Sequence, residues 1–215
     1  QMKVGNDPAS DASKNLRKAT ATILAVYRDV ANDSYYGDRA STIQYPISNT
    51  SWAAPQPSDD GYKVAFSTDV NGNDIYTSDM TDEQKYEAAK QAALGFFEAA
   101  GYTVTDGKVT AAPAEGGPME FEAWIPADGT GDHPAFMILT EAQKAFEDIG
   151  LTFKIKDLTN SADLWTALSA QSVQIWTAAW GASVDPDMYQ IYFSGDDEGH
   201  TAGGSNYMYA INDAE

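Results

Sequence analysis

The stretch DVNGNDIYTSDM, residues 69–80, sets Asp69, Asn71 and Asn73 at alternate positions, the oxygen-ligand spacing of a calcium loop. Its sixth position is Asp74, where that loop needs glycine, and its twelfth is Met80, where a bidentate glutamate belongs. Asn71-Gly72 is read instead as a turn between strands. The chain's two histidines offer little more. His133 precedes Pro134 at a helix start, and His200 lies in GDDEGHTAGG, a polar loop. With no cysteine there is neither thiolate chemistry nor a disulfide, and a zinc site would need more nitrogen and sulfur ligands than the chain holds. No GxSxG, HExxH or GxxxxGK[ST] pattern occurs. Among 32 acidic residues chance pairs are unavoidable, so a glycosidase-like carboxylate pair gains nothing from the sequence. No catalytic residue, metal ligand or cofactor is assigned.

Binding is better served. In WGASVDPDMYQIYFSG, residues 180–195, a Trp-Gly pair ends an apolar run, a small loop follows, and Asp185-Pro186 opens an aromatic helix. Asp185 reads as the N-cap with Pro186 at the first helical position, and capping alone accounts for that pair.

The preceding elements decide where this loop lies. Leu16, Ala19, Ile23, Val26 and Val30 recur at a helical period, with Ser13 as the expected N-cap. Residues 45–61 are rich in Pro, Ser, Asn and Asp and predict an irregular segment. Thr81 to Ala100 is a helix with a Thr81/Gln84 capping box, an apolar stripe through Tyr86, Ala89, Ala93, Phe97 and Ala100, and Gly101 as its stop. Met119, Phe121, Ala123 and Ile125 alternate with polar residues and Trp124, a strand. Pro134 to Ile149 is helical, Leu151 to Ile155 alternates again, and Ser161 caps a short helix with Leu164, Trp165 and Leu168. Val173 to Trp180 is apolar on both faces, as a central strand would be. The order β-α-β-α-β predicts an α/β fold with a mixed, largely parallel sheet and flanking helices. Ligands of such sheets lie beyond the carboxyl ends of the strands, which is where Trp180 to Val184 falls.

Composition narrows the partners. A net charge of −19 argues against nucleic acid and anionic membranes, and at 43% hydrophobic residues the chain can build a core. No apolar stretch is long enough to span a membrane, and no signal peptide is visible at the start. Residues 1–14 read as a polar lead-in and 15–215 as a single α/β lobe.

LRKATATILAVYRDV (16–30), EAAKQAALGFFEAAGY (87–102), AQKAFEDIGLTFKI (142–155), the Trp-Gly to Asp-Pro run and GGSNYMYAIND (203–213) occur in an order that resembles the oligopeptide/dipeptide type of extracellular solute-binding protein of ABC importers. The resemblance implies one lobe, the second, of a type II periplasmic-binding-protein fold. It implies capture of a peptide or related small solute between two lobes, delivery to permease subunits of the transporter, and no catalysis. It also implies an extracellular or periplasmic place, with a lipoprotein anchor and a first lobe outside this sequence. Trp180, Gly181, Ala182, Ser183, Asp185, Asn206 and Tyr207 are then the expected ligand-binding residues, with Trp180, Ser183 and Tyr207 facing the cleft. In members that take free peptides, an aspartate three residues after that tryptophan pairs with the ligand's amino group. Here the position is Ser183 and the loop is one residue shorter, which speaks against anchoring by the amino terminus. The rival readings are a carboxylate-dependent extracellular hydrolase, which needs two acids facing across one cleft, and a non-catalytic structural domain.

Overall fold

The computed structural model of the chain describes residues 2–126, 133–179, 181 and 185–193. Helix α1 spans Asp11–Ala25 and buries Leu16, Ala19 and Ile23 along one stripe. Its N-cap is Ser10, not Ser13: the Ser10 hydroxyl accepts the Ser13 N–H. Ser13 is buried and serves the segment before the helix. Its Oγ accepts the Val4 N–H at 2.9 Å and donates to the Asp7 carbonyl at 2.6 Å. The helical period through Val30 is interrupted. Tyr27, at φ −93° and ψ −2°, breaks the ladder, and α2 restarts over Arg28–Tyr36. The Arg28 Nε donates back to the Ala25 carbonyl that the break releases, at 3.3 Å.

Residues 40–80 hold no helix and only a single antiparallel bridge, Thr68 to Asp74. The expected turn sits inside that bridge. Asp69 Oδ1 accepts the N–H groups of Asn71 and Asn73 at 2.9 and 2.8 Å, and Gly72 takes φ +83°. The aspartate thus satisfies backbone donors of its own loop.

Helix α3, Asp82–Ala99, opens with both arms of the capping box: the Gln84 N–H to Thr81 Oγ1 at 3.3 Å, and the Thr81 N–H to Gln84 Oε1 at 2.8 Å. Strands β1 (Thr103–Thr105) and β2 (Lys108–Ala111) then pair antiparallel around Asp106-Gly107, both at positive φ. That pair of dihedral signs suits a two-residue hairpin.

The sheet that matters for function is parallel, in the order β4-β3-β5. Strand β3 is Glu120–Ile125, β4 is Thr152–Asp157 and β5 is Ile175–Trp176. Between them run α4 (Pro134–Asp148) and α5 (Ser161–Ser169), the latter capped by Asn160 rather than Ser161. Phe121, Ala123 and Ile125 of β3 face the main core with α1, α3 and α4. Trp124 faces the other way, onto a smaller cluster with Leu164 and Leu168 of α5. The central strand is therefore β3. The run 173–180, expected to be central, contributes two paired residues beside it, half-buried, with Ala178 and Ala179 exposed. Gln174 continues the ladder with its side chain: Oε1 accepts the Glu122 N–H at 2.7 Å.

Candidate functional site

Parallel strands order the chain ends. After β3 the chain turns to the face that carries α4; after β4 it turns to the opposite face, with α5. Right-handed crossovers in opposite directions require this. The carboxyl ends of β3 and β4, at Ile125 and Asp157, are thus the switch point of the sheet, the place beyond which doubly wound sheets hold ligands in a crevice. The parallel ladder runs to this point, where the Leu158 N–H donates to the Ile125 carbonyl at 2.8 Å.

His133 stands at this end because it immediately precedes α4. Its Nδ1 accepts the Ala135 N–H at 3.1 Å, so the neutral imidazole carries its proton on Nε2. The Tyr35 ring lies 6.5 Å from it and 4.7 Å from Tyr36, edge on. Both tyrosines end α2 and are 44% and 41% exposed. These three aromatics form a half-wet cluster at the amino end of α4, and the sequence reading missed the two tyrosines. Tyr35-Tyr36 has no spacing that sets it apart, and only the antiparallel packing of α2 on α4 brings it to His133.

On the α1 side an open groove of about 580 Å³ leads to the same end. Arg17, Thr20, Ala21 and Leu24 of α1 form one wall, Ile175 to Ala178 the other, and Met2 and Ala135 close it. Its polar groups are largely engaged. Thr20 donates to the Leu16 carbonyl, and Arg17 Nη1 reaches the carbonyls of Met2 and Pro8 at 3.3 and 2.8 Å. The groove can accept apolar or backbone groups, and among the described residues its lining holds no nucleophile set beside a base. Among the described residues no carboxylate lines it, so they build no facing pair of the kind a glycosidase needs there. Among the described residues no group of three His, Cys, Asp or Glu gathers as a metal site.

Of the residues expected to bind ligand, Gly181 and Asp185 are described and both are exposed. A Cβ at Gly181 would meet nothing within 4 Å. Asp185 does not cap the aromatic helix. α6 is Tyr189–Tyr192 and starts after Met188. Asp185 Oδ1 accepts the Asp187 N–H at 3.0 Å, and Asp187 Oδ1 accepts that of Tyr189 at 2.9 Å. Two successive side-chain turns satisfy these donors locally and delay the helix. Trp180, Ala182, Ser183, Asn206 and Tyr207 lie outside the described residues, as does His200.

Comparison with known proteins agrees with this architecture. Among curated proteins none matches the chain by sequence. Two solved structures are similar in fold. The oligopeptide-binding protein AppA from Bacillus subtilis, in complex with a nonapeptide, superposes with a TM-score of 0.58 at 18% identity, over 100% of this chain and 37% of that one. NikA from Brucella suis, in complex with Fe(III)-EDTA, gives 0.54 at 14% identity, over 95% and 34%. The chain thus spans little more than a third of either. The likeness establishes the fold, a mixed α/β lobe of the type II periplasmic-binding-protein kind. The sequence profile of the bacterial extracellular solute-binding proteins, family 5 (middle region), matches residues 1–201. The chain belongs to the bacterial extracellular solute-binding proteins of family 5.

Proposed function

We propose that this chain is one lobe of the substrate-binding component of an ABC importer. It captures a peptide or a related small solute between two lobes and hands it to the permease subunits. Membership of family 5 over residues 1–201 carries this reading. Members of that family are extracellular or periplasmic binding proteins, and no described helix is long and apolar enough to cross a membrane. A lipoprotein anchor outside residues 1–215 holds the protein at the cell surface. The function requires no chemistry. Ligand bridging two lobes shifts an open–closed equilibrium by its preference for the closed state.

Trp180, Gly181, Ala182, Ser183, Asp185, Asn206 and Tyr207 contact the ligand on this reading. Tyr35 and Tyr36 are added because their exposed rings stand beside His133, at the amino end of the helix that follows β3. With serine at 183 no carboxylate is offered to a ligand ammonium at that position. Binding therefore relies on backbone hydrogen bonds and aromatic surface, not on the amino terminus. Thermal-shift and calorimetric titration of the two-lobed protein, with free and N-acetylated peptides and with oligosaccharides, tests this. Equal stabilisation by free and acetylated peptides, or stabilisation by sugars, is expected. A response to free peptides that acetylation abolishes would overturn the account of Ser183, and no response to any solute would overturn the transport reading itself.

A further inference from the structure

Away from the crevice, residues 41–62 fold into a cavity of their own, of about 420 Å³. That volume lies within the range of small-ligand pockets. Its placement follows from Arg28, whose guanidinium donates to the Ile43 and Ala65 carbonyls and to Gln44 Oε1 at 3.3–3.5 Å. Arg28 begins α2, whereas Tyr35 and Tyr36, beside His133, end it, so the two places stand at opposite ends of one helix.

The lining has an unusual chemistry for so acidic a chain. Residues 40–58 contain no charged side chain, although 45 of the chain's 215 residues are charged. The walls are Thr42, Gln44, Tyr45, Asn49, Gln56 and Tyr62, completed by small and apolar residues. The amides hold the loop with one end only. Asn49 Nδ2 donates to Ser41 Oγ at 2.7 Å, Gln56 Nε2 donates to the Ala54 carbonyl at 2.9 Å, and Gln44 Oε1 accepts the Ala65 N–H at 3.0 Å. Asn49 Oδ1, Gln56 Oε1 and Gln44 Nε2 keep their capacity, and the hydroxyls of Thr42 and Tyr62 have no partner among the described residues. The Tyr45 and Tyr62 rings stand 5.7 Å apart at 56°, and exposed Trp52, at 81%, lies in the same loop.

We propose that this cavity is a second binding site, for a neutral, hydroxyl-rich ligand of mono- or disaccharide size. Such a ligand needs donors and acceptors together, which amides and hydroxyls supply, and apolar ring faces, which tyrosines supply. None of the lining residues carries a charge to pair with a free ammonium or carboxylate. The site is independent of the crevice and of the transport reading.

The test uses residues 1–215 with maltose and N,N′-diacetylchitobiose as probes, followed by ligand-observed NMR and by backbone amide shifts. Saturable binding of one probe is expected, with Kd on the order of 1 mM for so few heavy atoms. It should shift amides of residues 41–62 and be insensitive to salt. Thr42→Val and Tyr62→Phe each remove a hydroxyl without changing shape, and each should weaken binding about 5-fold with the thermal melt unchanged. Absence of saturable binding by both probes, shifts confined to other residues, or full affinity in the double variant would overturn the proposal. If either variant melts early, the wild-type shift map alone decides.

Discussion

Gly150→Ala should destabilise the chain about three times as much as Gly107→Ala, because only the first glycine is needed for space as well as for conformation. Gly150 follows α4 at φ +86° and Gly107 turns the β1–β2 hairpin at φ +72°. Holding alanine at such angles costs about 1 kcal/mol at either position. Around Gly107 an added Cβ meets nothing within 4 Å. At Gly150 it would lie 2.9 Å from the Val109 carbonyl oxygen and 3.4 Å from Lys108 Cβ. That carbonyl cannot swing away freely, since the same residue's N–H is bonded to the Ile149 carbonyl at 2.8 Å and its side chain is buried. Opening the contact sacrifices that buried hydrogen bond, about 1–3 kcal/mol more. The expected losses are about 3 kcal/mol for Gly150→Ala and about 1 kcal/mol for Gly107→Ala. Urea unfolding of both variants measures this. A slope of about 2–3 kcal/mol per molar would place their midpoints roughly 1 M apart. Equal midpoints would refute the close approach of hairpin to helix end.

Two further outcomes are expected from the buried polar groups. Ser13→Ala strands the buried Val4 N–H and should cost about 1–3 kcal/mol in the same urea assay; a neutral result would mean that residues 2–9 do not pack as described. In alkali, burial pushes Tyr27 and Tyr76 up to about 12, helped at Tyr27 by Glu141 and opposed at Tyr76 by Arg28, and burial raises Tyr102 as well. The unfolded chain then releases these protons first, from about pH 10. Stability is complete below that pH and falls as the pH climbs toward 12, by about 1.4 kcal/mol per pH unit for each such tyrosine. Tyrosinate absorbance followed alongside circular dichroism checks it, and free titration of all tyrosines near pH 10 in the folded chain would contradict it.

The local rules were legible wherever one short stretch contains the whole interaction. The Thr81/Gln84 box, the stop at Gly101 and the alternation from Met119 to Ile125 all appear where the pattern placed them. Asp106-Gly107 between TVT and KVT was an equally local hairpin signal that the reading passed over. The errors arose where a residue answers to something distant or where a local turn takes the place of a cap. Ser13 looked like a cap, yet its hydroxyl is taken by Val4 and Asp7. Asp185-Pro186 looked like a helix start, yet Asp185 and Asp187 satisfy neighbouring N–H groups in turns. The run 173–180 looked doubly buried, yet pairing beside β3 leaves residues 174–177 half-covered and Ala178 and Ala179 exposed.

The sequence by itself determined the element types, their β-α-β-α-β order and, through the ordered set of short motifs, the family. Each depends on periodicity, capping and chirality, which act over a few residues or one crossover. Only the tertiary structure decided that β3 is central, that the switch point falls between β3 and β4, and that Tyr35 stands beside His133. Those facts depend on which strand pairs with which and how α2 packs on α4. The free energy that selects them comes from burying surfaces that are remote along the chain, and no spacing within either surface records its partner.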